Sequence, residues 1–263
     1  MPYRHGNRKT RMRPIALITD FGNSDPYVGV MKGVILKINS QATIVDVTNE
    51  VTSFSILEAA FILESSFPHF PEGTIFLAVV DPGVGSTRRA IAGKTANRYI
   101  VGPDNGLFTP VYGGAPDLYR LPVPPDASPT FHGRDVFAPA AAMLSLGKEP
   151  GELGEPVYDP VRLEYPPLRI GDGEIEGLVL HVDRFGNLVT SIKGELIPRV
   201  SFRLFVGSRS VGGRLRKYYH EADEGEIFPI MGSSGYLEVS MREGNAAEAL
   251  SAAVGTPVKL VTD

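Results

Sequence analysis

The sequence predicts an α/β protein: an N-terminal α/β domain with a mainly parallel central sheet, followed by a smaller, β-rich and barrel-like C-terminal domain. Three observations carry this expectation. Apolar runs of strand length alternate with helix-period segments through the first half. Near the middle, "GKEPGELGEPVYDPVRLEYPPLRIGDG" is dense in Pro, Gly and acids and has no sustained periodicity, as expected of a linker. Beyond it come short apolar runs separated by turn residues, the pattern of a small barrel or sandwich. The predicted division is a basic leader over residues 1–12, an α/β domain over 13–167 and a β-rich domain over 168–263.

The elements follow in order. "PIALITD" reads as a buried strand, and "YVGVMKGVILKI" as a helix that places Val28, Met31, Ile35 and Ile38 on one face. "TIVDV" is a second strand, "SILEAAFILESSF" a second helix and "TIFLAVV" a third strand. This strand, helix, strand, helix, strand order implies parallel pairing covered by helices. "AIAGKTANRYIVG" holds two short strands, "DLYRLPV" another, and "DVFAPAAAMLSLG" a helix. In the second domain, "EGLVLHVDRFGNLVTSI", "SFRLFVG", "RSVGGRLRKYY", "GEIFPIMG", "GYLEVSM" and "PVKLVTD" read as short strands, with a helical insert at "AAEALSAA".

Composition narrows the chemistry. Among 263 residues there is no cysteine, which excludes thiolate catalysis, disulfides and Cys-ligated metals. The five histidines show no HxH or HxxxH spacing, so no metal site is expected. No apolar window reaches membrane-spanning length and no signal peptide is evident, which predicts a soluble, cytoplasmic protein without a membrane partner. Net charge is −4, but "MPYRHGNRKTRMR" alone holds five of the 26 basic residues, so the remaining 21 face 30 acids. An acidic body with no Trp and no basic stripe argues against nucleic acid, and the basic arm is expected to be a disordered leader.

Candidate functional residues cluster at strand ends, where ligands of parallel sheets bind. Asp20 ends the first strand in "TDFGNSDPY" and either caps the next turn or offers two acceptor oxygens to a pair of ligand hydroxyls. Asp25, before Pro26, carries the same two readings. "VVDPGVGSTRR" resembles a phosphate loop, yet Asp81 leads it, it lacks the Walker lysine, and its glycine spacing fits neither standard fingerprint. Asp81 and Arg88 are either a surface ion pair or a site. "GPDNGLFTP" adds Asp104 and Asn105, and "FHGRDVFAP" adds Phe131, His132, Gly133, Arg134 and Asp135 before a helix. In the second domain, Asp183, Phe185 and Asn187 lie in "DRFGNLVT", and Ser233, Ser234 and Tyr236 in "SSGYLEV"; turn geometry alone would explain both. Phe54, Phe131 and Phe185 lie beside polar turns and either stack on a base or pack in the core.

Taken in order, "LITDFG", "VVDPGVGS" with Arg88, "GPDNGLFT", "FHGRDVFAP", "DRFGNLVT" and "SSGYLEV…NAAEAL" resemble the S-adenosyl-L-methionine (SAM) hydrolases, or SAM hydroxide adenosyltransferases, relatives of the SAM-dependent fluorinase and chlorinase. The resemblance runs from about Arg13 to the end. It implies a homotrimer with SAM bound between subunits, and hydrolysis of SAM to adenosine and L-methionine without a cofactor. It further implies catalysis by Asp81, Arg88 and His132. Asp20 would hold the ribose hydroxyls and Phe54 would lie against ribose or base. Asp25, Asp183 and Ser233 would meet the methionine end, and Asn187 and Phe185 the adenine side; Asn105, Phe131, Gly133, Ser234 and Tyr236 complete the implied binding set. In the halogenases a tyrosine matches Asp81 and a serine matches Gly133, so the resemblance favours hydrolysis over a halogenase. A non-catalytic SAM or adenosine sensor is the other alternative. Where the fluorinase has Ser-Arg before "GY", this chain has Ser233 and Ser234, so the amino-acid end of SAM is expected to be held differently.

Overall fold

The computed structural model describes residues 13–171, 173–197 and 202–262; the basic leader lies outside them. The chain divides into two compact units, one ending at Leu163 and the other beginning at Glu164, a division inside the Pro-rich stretch.

Unit 1 is built on one seven-stranded sheet. In chain order its elements are β1 (Ile15–Thr19), α1 (Tyr27–Ile38), β2 (Ile44–Thr48), α2 (Ile56–Ser66), β3 (Ile75–Val79), β4 (Ala90–Thr95), β5 (Arg98–Pro103), β6 (Asp117–Arg120), α3 (Ala138–Ser145) and β7 (Glu155–Val157). The strand order is β2-β1-β3-β5-β4-β6-β7. β2, β1, β3 and β5 pair in parallel, whereas β4 pairs antiparallel with β5 and β6, and β6 with β7. The expected mainly parallel sheet is therefore parallel in one half only. The reason is local: β4 and β5 are joined by Ala96 and Asn97 alone, at φ of 43° and 61°. A two-residue turn with both central residues left-handed matches strand twist and can join only antiparallel neighbours. The sheet also recruits β7 from the supposed linker.

Period-2 alternation sends side chains to both faces of this sheet. Ile15 and Leu17 pack with Met31, Ile35, Phe137 and Leu144 of α1, α3 and the turn before α3. Ala16 and Ile18 face Ala59 and Leu63 of α2. On α1 the predicted stripe is observed: Val28, Met31 and Ile35 are buried, and Ile38 packs at the edge of the same cluster. Ser55 caps α2, its hydroxyl accepting from the Glu58 amide.

Unit 2 holds β8 (Arg169–Gly171), β9 (Glu174–Val182), β10 (Leu188–Lys193), β11 (Phe202–Val206), β12 (Arg209–Val211), β13 (Ile227–Met231), β14 (Tyr236–Met241), α4 (Ala246–Leu250) and β15 (Pro257–Thr262). They form one antiparallel eight-stranded sheet, ordered β12-β11-β15-β9-β10-β14-β13 with β8 added to β9. It nearly closes: Arg216, beyond β12, bridges to Ile230 of β13 and donates its amide to the Pro229 carbonyl at 3.0 Å. Val179, Leu188, Leu204, Leu237, Val239 and Leu260 fill the interior. The run read as one strand over "RSVGGRLRKYY" is strand only over Arg209–Val211; beyond it the chain reaches a 3-10 turn at Tyr219–Glu221. Among the described residues, no helix is long and apolar enough to cross a membrane.

Candidate functional site

The parallel half of the unit 1 sheet positions the first cluster. β1 and β3 pair in register, Thr19 opposite Val79, so Asp20 and Asp81 leave the same sheet edge. They sense one another: burial pushes the Asp20 carboxyl above the usual range, the Phe54 amide draws it down, and the charge of Asp81 adds to the rise. Asp20 Oδ2 accepts the Phe54 amide at 2.8 Å. Phe54 holds φ of 69°, costly for a residue with a side chain, and is 70% exposed. Asp20 thus anchors a strained turn that presents an aromatic ring. Asp25 is exposed, and α1 starts after Pro26 with no side-chain cap, so the capping reading of Asp25 is not observed.

Asp81, Arg88 and His132 come together. Arg88 engages Asp81 through two nitrogens, Nε to Oδ1 at 3.0 Å and Nη2 to Oδ2, with side chains only 10% and 6% exposed. The reading of these two as a surface pair is thereby excluded. Arg88 Nη2 also lies 2.8 Å from His132 Nδ1. Guanidinium has no acceptor, so Nδ1 must accept and the imidazole is neutral with its proton on Nε2. Consistently, burial and the Arg88 charge hold the His132 pKa below its usual value, against opposing pulls from Asp81 and Asp135. One guanidinium nitrogen, Nη1, is buried with no hydrogen-bond partner.

The loop that carries Arg88 is fixed by glycine. Gly85 holds φ of 75°, and a Cβ there would sit 2.3 Å from the Pro129 carbonyl oxygen, so this close approach ties the loop to the segment leading into His132. The neighbouring arginine serves a different task. Arg89 pairs with buried Asp104 at 2.7 Å and with Asp159 at 2.6 Å, which fastens the loop after β5 to the chain before Leu163. Asn105 works similarly, donating to the Val80 carbonyl at 2.9 Å and accepting from the Leu107 amide. Phe131 joins Phe21 and Tyr27 in an edge-packed aromatic cluster, with centroids at 5.2–6.0 Å. Gly133 opens a π-helical turn over Gly133–Phe137; a Cβ there would lie 3.1 Å from Met31 Sδ and 3.2 Å from the Phe131 ring.

The second cluster lies wholly in unit 2. Asp183 organises its own turn: Oδ1 accepts the amides of Phe185 and Asn187 at 2.9 and 2.8 Å, and Oδ2 accepts Asn187 Nδ2 at 2.8 Å. The turn presents Phe185, 76% exposed. Asp183, Phe185 and Asn187 then line an open groove of about 700 Å³ with Tyr219, His220, Met241, Arg242, Glu243 and Gly244. Ser233 and Ser234 form the β13–β14 turn, closed by a Gly235 amide to Gly232 carbonyl bond at 3.0 Å. Ser234 Oγ is buried without a partner, and Tyr236 is buried beneath Lys193. Sequence reasoning missed Tyr219, Arg242 and Glu243, because the segments carrying them read as strand and turn. It also missed Glu238, buried under the groove, whose carboxyl is pushed up by burial and by Asp183. Among the described residues, no group of three or more His, Asp or Glu is placed to hold a metal ion.

Comparison with known proteins bears on both clusters. The (R)-S-adenosyl-L-methionine hydrolase of Thermus thermophilus is 42% identical over 95% of this chain and 100% of its own length. A fluorinase of an Actinoplanes species is 30% identical over 68% of this chain and 71% of its own. An uncharacterized conserved protein from Thermotoga maritima superposes with a TM-score of 0.85 at 34% identity, covering 94% of this chain and 99% of that structure. The N-terminal domain model of SAM hydroxide adenosyltransferases matches residues 15–154 and the C-terminal domain model residues 177–259, and the chain belongs to that family.

Proposed function

We infer that this chain hydrolyses S-adenosyl-L-methionine to adenosine and L-methionine. The observation that carries the reading is the buried Asp81–Arg88–His132 cluster with one guanidinium nitrogen unpaired. The reaction forms a bond from water oxygen to the ribose 5′ carbon, breaks the bond from that carbon to sulfur, and returns the electron pair to sulfur, which discharges the sulfonium. The leaving group needs neither acid nor cofactor. The difficulty is the nucleophile, since water has a pKa of about 15.7. A fixed, permanently charged donor in a water-poor site stabilises developing hydroxide far better than solvent does, and Arg88 Nη1 is such a donor. Asp81 holds Arg88 bidentately and keeps lone pairs to receive the proton. His132 accepts from Arg88 through Nδ1, so in this arrangement it braces the arginine and is not the base.

Binding roles extend the same proposal. Asp20 takes the ribose hydroxyls and Phe54 lies against ribose or base. Asp25, Asp183 and Ser233 meet the methionine end, while Phe185 and Asn187 meet adenine. Asn105, Phe131 and Gly133 shape the unit 1 pocket, and Ser234 and Tyr236 the turn beside the methionine end. Gly133 offers no side-chain donor for a halide and little room for a Cβ, and Asp81 would repel fluoride or chloride, which favours water. We further propose that the chain acts as a cytoplasmic homotrimer with SAM between neighbouring subunits; the exposed rings of Phe54 and Phe185 are surfaces such an arrangement would cover. Following its relatives' designation, the substrate proposed is the (R) sulfonium epimer.

The test is incubation with each sulfonium epimer and chromatography of the products. Adenosine and methionine from the (R) epimer are expected. Their absence from both epimers would remove the hydrolase reading, SAM binding without product would favour a sensor, and 5′-chloro-5′-deoxyadenosine in excess chloride would favour a halogenase. Sedimentation tests the trimer.

A further inference from the structure

We propose that the buried Thr19–Asn49 pair positions Asp20, setting the angle at which that carboxylate meets a ribose diol and so the preference of the site for ribonucleosides over deoxynucleosides. This rests on the reading of Asp20 as the residue that takes the ribose hydroxyls; Thr19 and Asn49 act on them through Asp20.

Thr19 is the last residue of β1, directly before Asp20, and is fully buried; Asn49 follows β2 and is 4% exposed. Ile15, Ala16, Leu17 and Ile18 precede Thr19, so its hydroxyl interrupts an otherwise apolar strand. A buried hydroxyl or amide oxygen costs free energy unless it is bonded, and these two bond each other. Thr19 Oγ1 donates to Asn49 Oδ1 at 3.0 Å and accepts the Phe21 amide at 3.3 Å. Asp20 is therefore spanned, the side chain before it holding the amide after it. A register shift delivers the partner. Leu17 faces Asp46 but Ile18 faces Thr48, so β2 gains one residue, Val47, shortly before Asn49, as bulges do where a side chain is re-aimed.

Backbone bonds close a ring around the pair. The Asn49 carbonyl accepts the Gly22 amide at 2.7 Å, and the Thr19 carbonyl accepts the Val51 amide at 3.2 Å. Further out, Asn23 Nδ2 donates to Glu50 Oε1 at 2.6 Å. Residues 49–51 thus grip both flanks of Asp20, and the Phe54 amide reaches its Oδ2 at 2.8 Å. One carboxylate oxygen is fixed by that bond, and the direction of the other follows from the backbone at Asp20, which Thr19 controls. Accepting from two vicinal hydroxyls at once is sensitive to this angle, because hydrogen bonds weaken steeply as they bend. Valine and leucine would fill the same space without holding it.

The experiment measures adenosine and 2′,3′-dideoxyadenosine binding by calorimetry, which needs no turnover, on variants whose circular dichroism matches wild type. Wild type should prefer adenosine about 10- to 100-fold, as expected where hydroxyls bond a charged group. Thr19→Val keeps the shape and removes the hydroxyl; it should weaken adenosine about five- to tenfold while dideoxyadenosine changes less than about twofold. Asn49→Leu should act alike, and adding it to Thr19→Val should cost no more, since the shared bond is already gone. Thr19→Ser, which keeps the hydroxyl, should stay within about twofold of wild type. In an Asp20→Ala background, Thr19→Val should change adenosine binding less than about twofold; a role exercised through Asp20 vanishes with it, whereas a general loosening persists. The proposal fails if Thr19→Val and Asn49→Leu both keep the wild-type preference, if dideoxyadenosine binding falls as far as adenosine binding, or if Thr19→Val still acts without Asp20. Loss of preference in these variants of a chain that leaves SAM uncleaved would preserve this inference and remove the hydrolase reading; SAM cleavage with a preference that neither variant alters would do the reverse. A wild type with no preference for the diol would remove the ribose role of Asp20 and this inference with it.

Discussion

The two clusters solve opposite problems with the same residue type. In unit 1 the Asp81 carboxylate is spent on an arginine, and the result is a buried charge assembly with a free donor. In unit 2 the Asp183 carboxylate is spent on backbone and side-chain amides of its own turn, and the result is an open, aromatic-lined groove. On the proposed reading the first arrangement would stabilise charge that develops during a reaction; the second holds a shape. Mutations should therefore separate, with unit 1 changes falling on kcat and unit 2 changes on KM.

The largest expected effect is at Arg88. Arg88→Ala removes the free donor and strands Asp81, and should lower kcat by about 10²- to 10³-fold with KM little changed. Arg88→Lys keeps charge but loses the bidentate geometry and should remain severely impaired. Steady-state kinetics on variants whose circular dichroism matches wild type would check this; a rise in KM at constant kcat would reassign Arg88 to binding.

Asp183 should give the opposite split. Asp183→Ala releases three donors at once and should destabilise unit 2 by about 2–3 kcal/mol, with KM raised through the displaced Phe185. Denaturant unfolding with parallel kinetics measures both. A kcat loss at unchanged KM and stability would erase the contrast between the clusters.

How far the sequence foretold these arrangements depends on the distance over which each is fixed. Helices α1 and α2 follow from local periodicity and capping, and the strand ends that carry Asp20 and Asp81 follow from apolar runs. The antiparallel half of the first sheet was written in the chain too, at Ala96 and Asn97, but neither residue announces a tight turn as Asn-Gly would. The resemblance selects Arg88 over its neighbour Arg89, but the residues alone do not, because Arg89 is engaged by Asp104 and Asp159, 15 and 70 residues further along. Glu238 reads as the polar outer face of a strand. Only the packing of Tyr219 above it reveals a buried acid.

A smaller effect concerns pH. The folded His132 pKa is depressed, chiefly by burial and then by Arg88, and the neutral ring accepts from Arg88. The unfolded chain takes up this proton first on acidification. The stability contributed by a neutral His132 is thus fully present above about pH 6.5 and is lost as pH falls from there toward the folded pKa. Protonation also sets a second cation against Arg88, so kcat should decline at the lower end of that window, as pH falls through the folded pKa. His132→Asn, which retains an acceptor and does not titrate, should keep much of the activity and remove that limb; a complete loss of activity in a folded variant would instead make His132 the base.

The smallest effect lies at Phe54 and tests whether unit 1 also recognises shape. Its φ of 69° is strained for any residue with a Cβ, and Phe54 is 70% exposed, so the ring does little for the core. Phe54→Gly relieves roughly 1–2 kcal/mol of left-handed strain but returns about 0.4–1 kcal/mol as unfolded-state entropy. A net gain of about 0.5 kcal/mol is expected, read as a slightly higher Tm. The amide still reaches Asp20, so kcat should hold while KM rises with the lost ring. A fall in Tm would show that the ring packs for stability and is not strained to meet a ligand, and the line between a charge-building unit 1 and a shape-reading unit 2 would then be sharper than the exposed ring suggests.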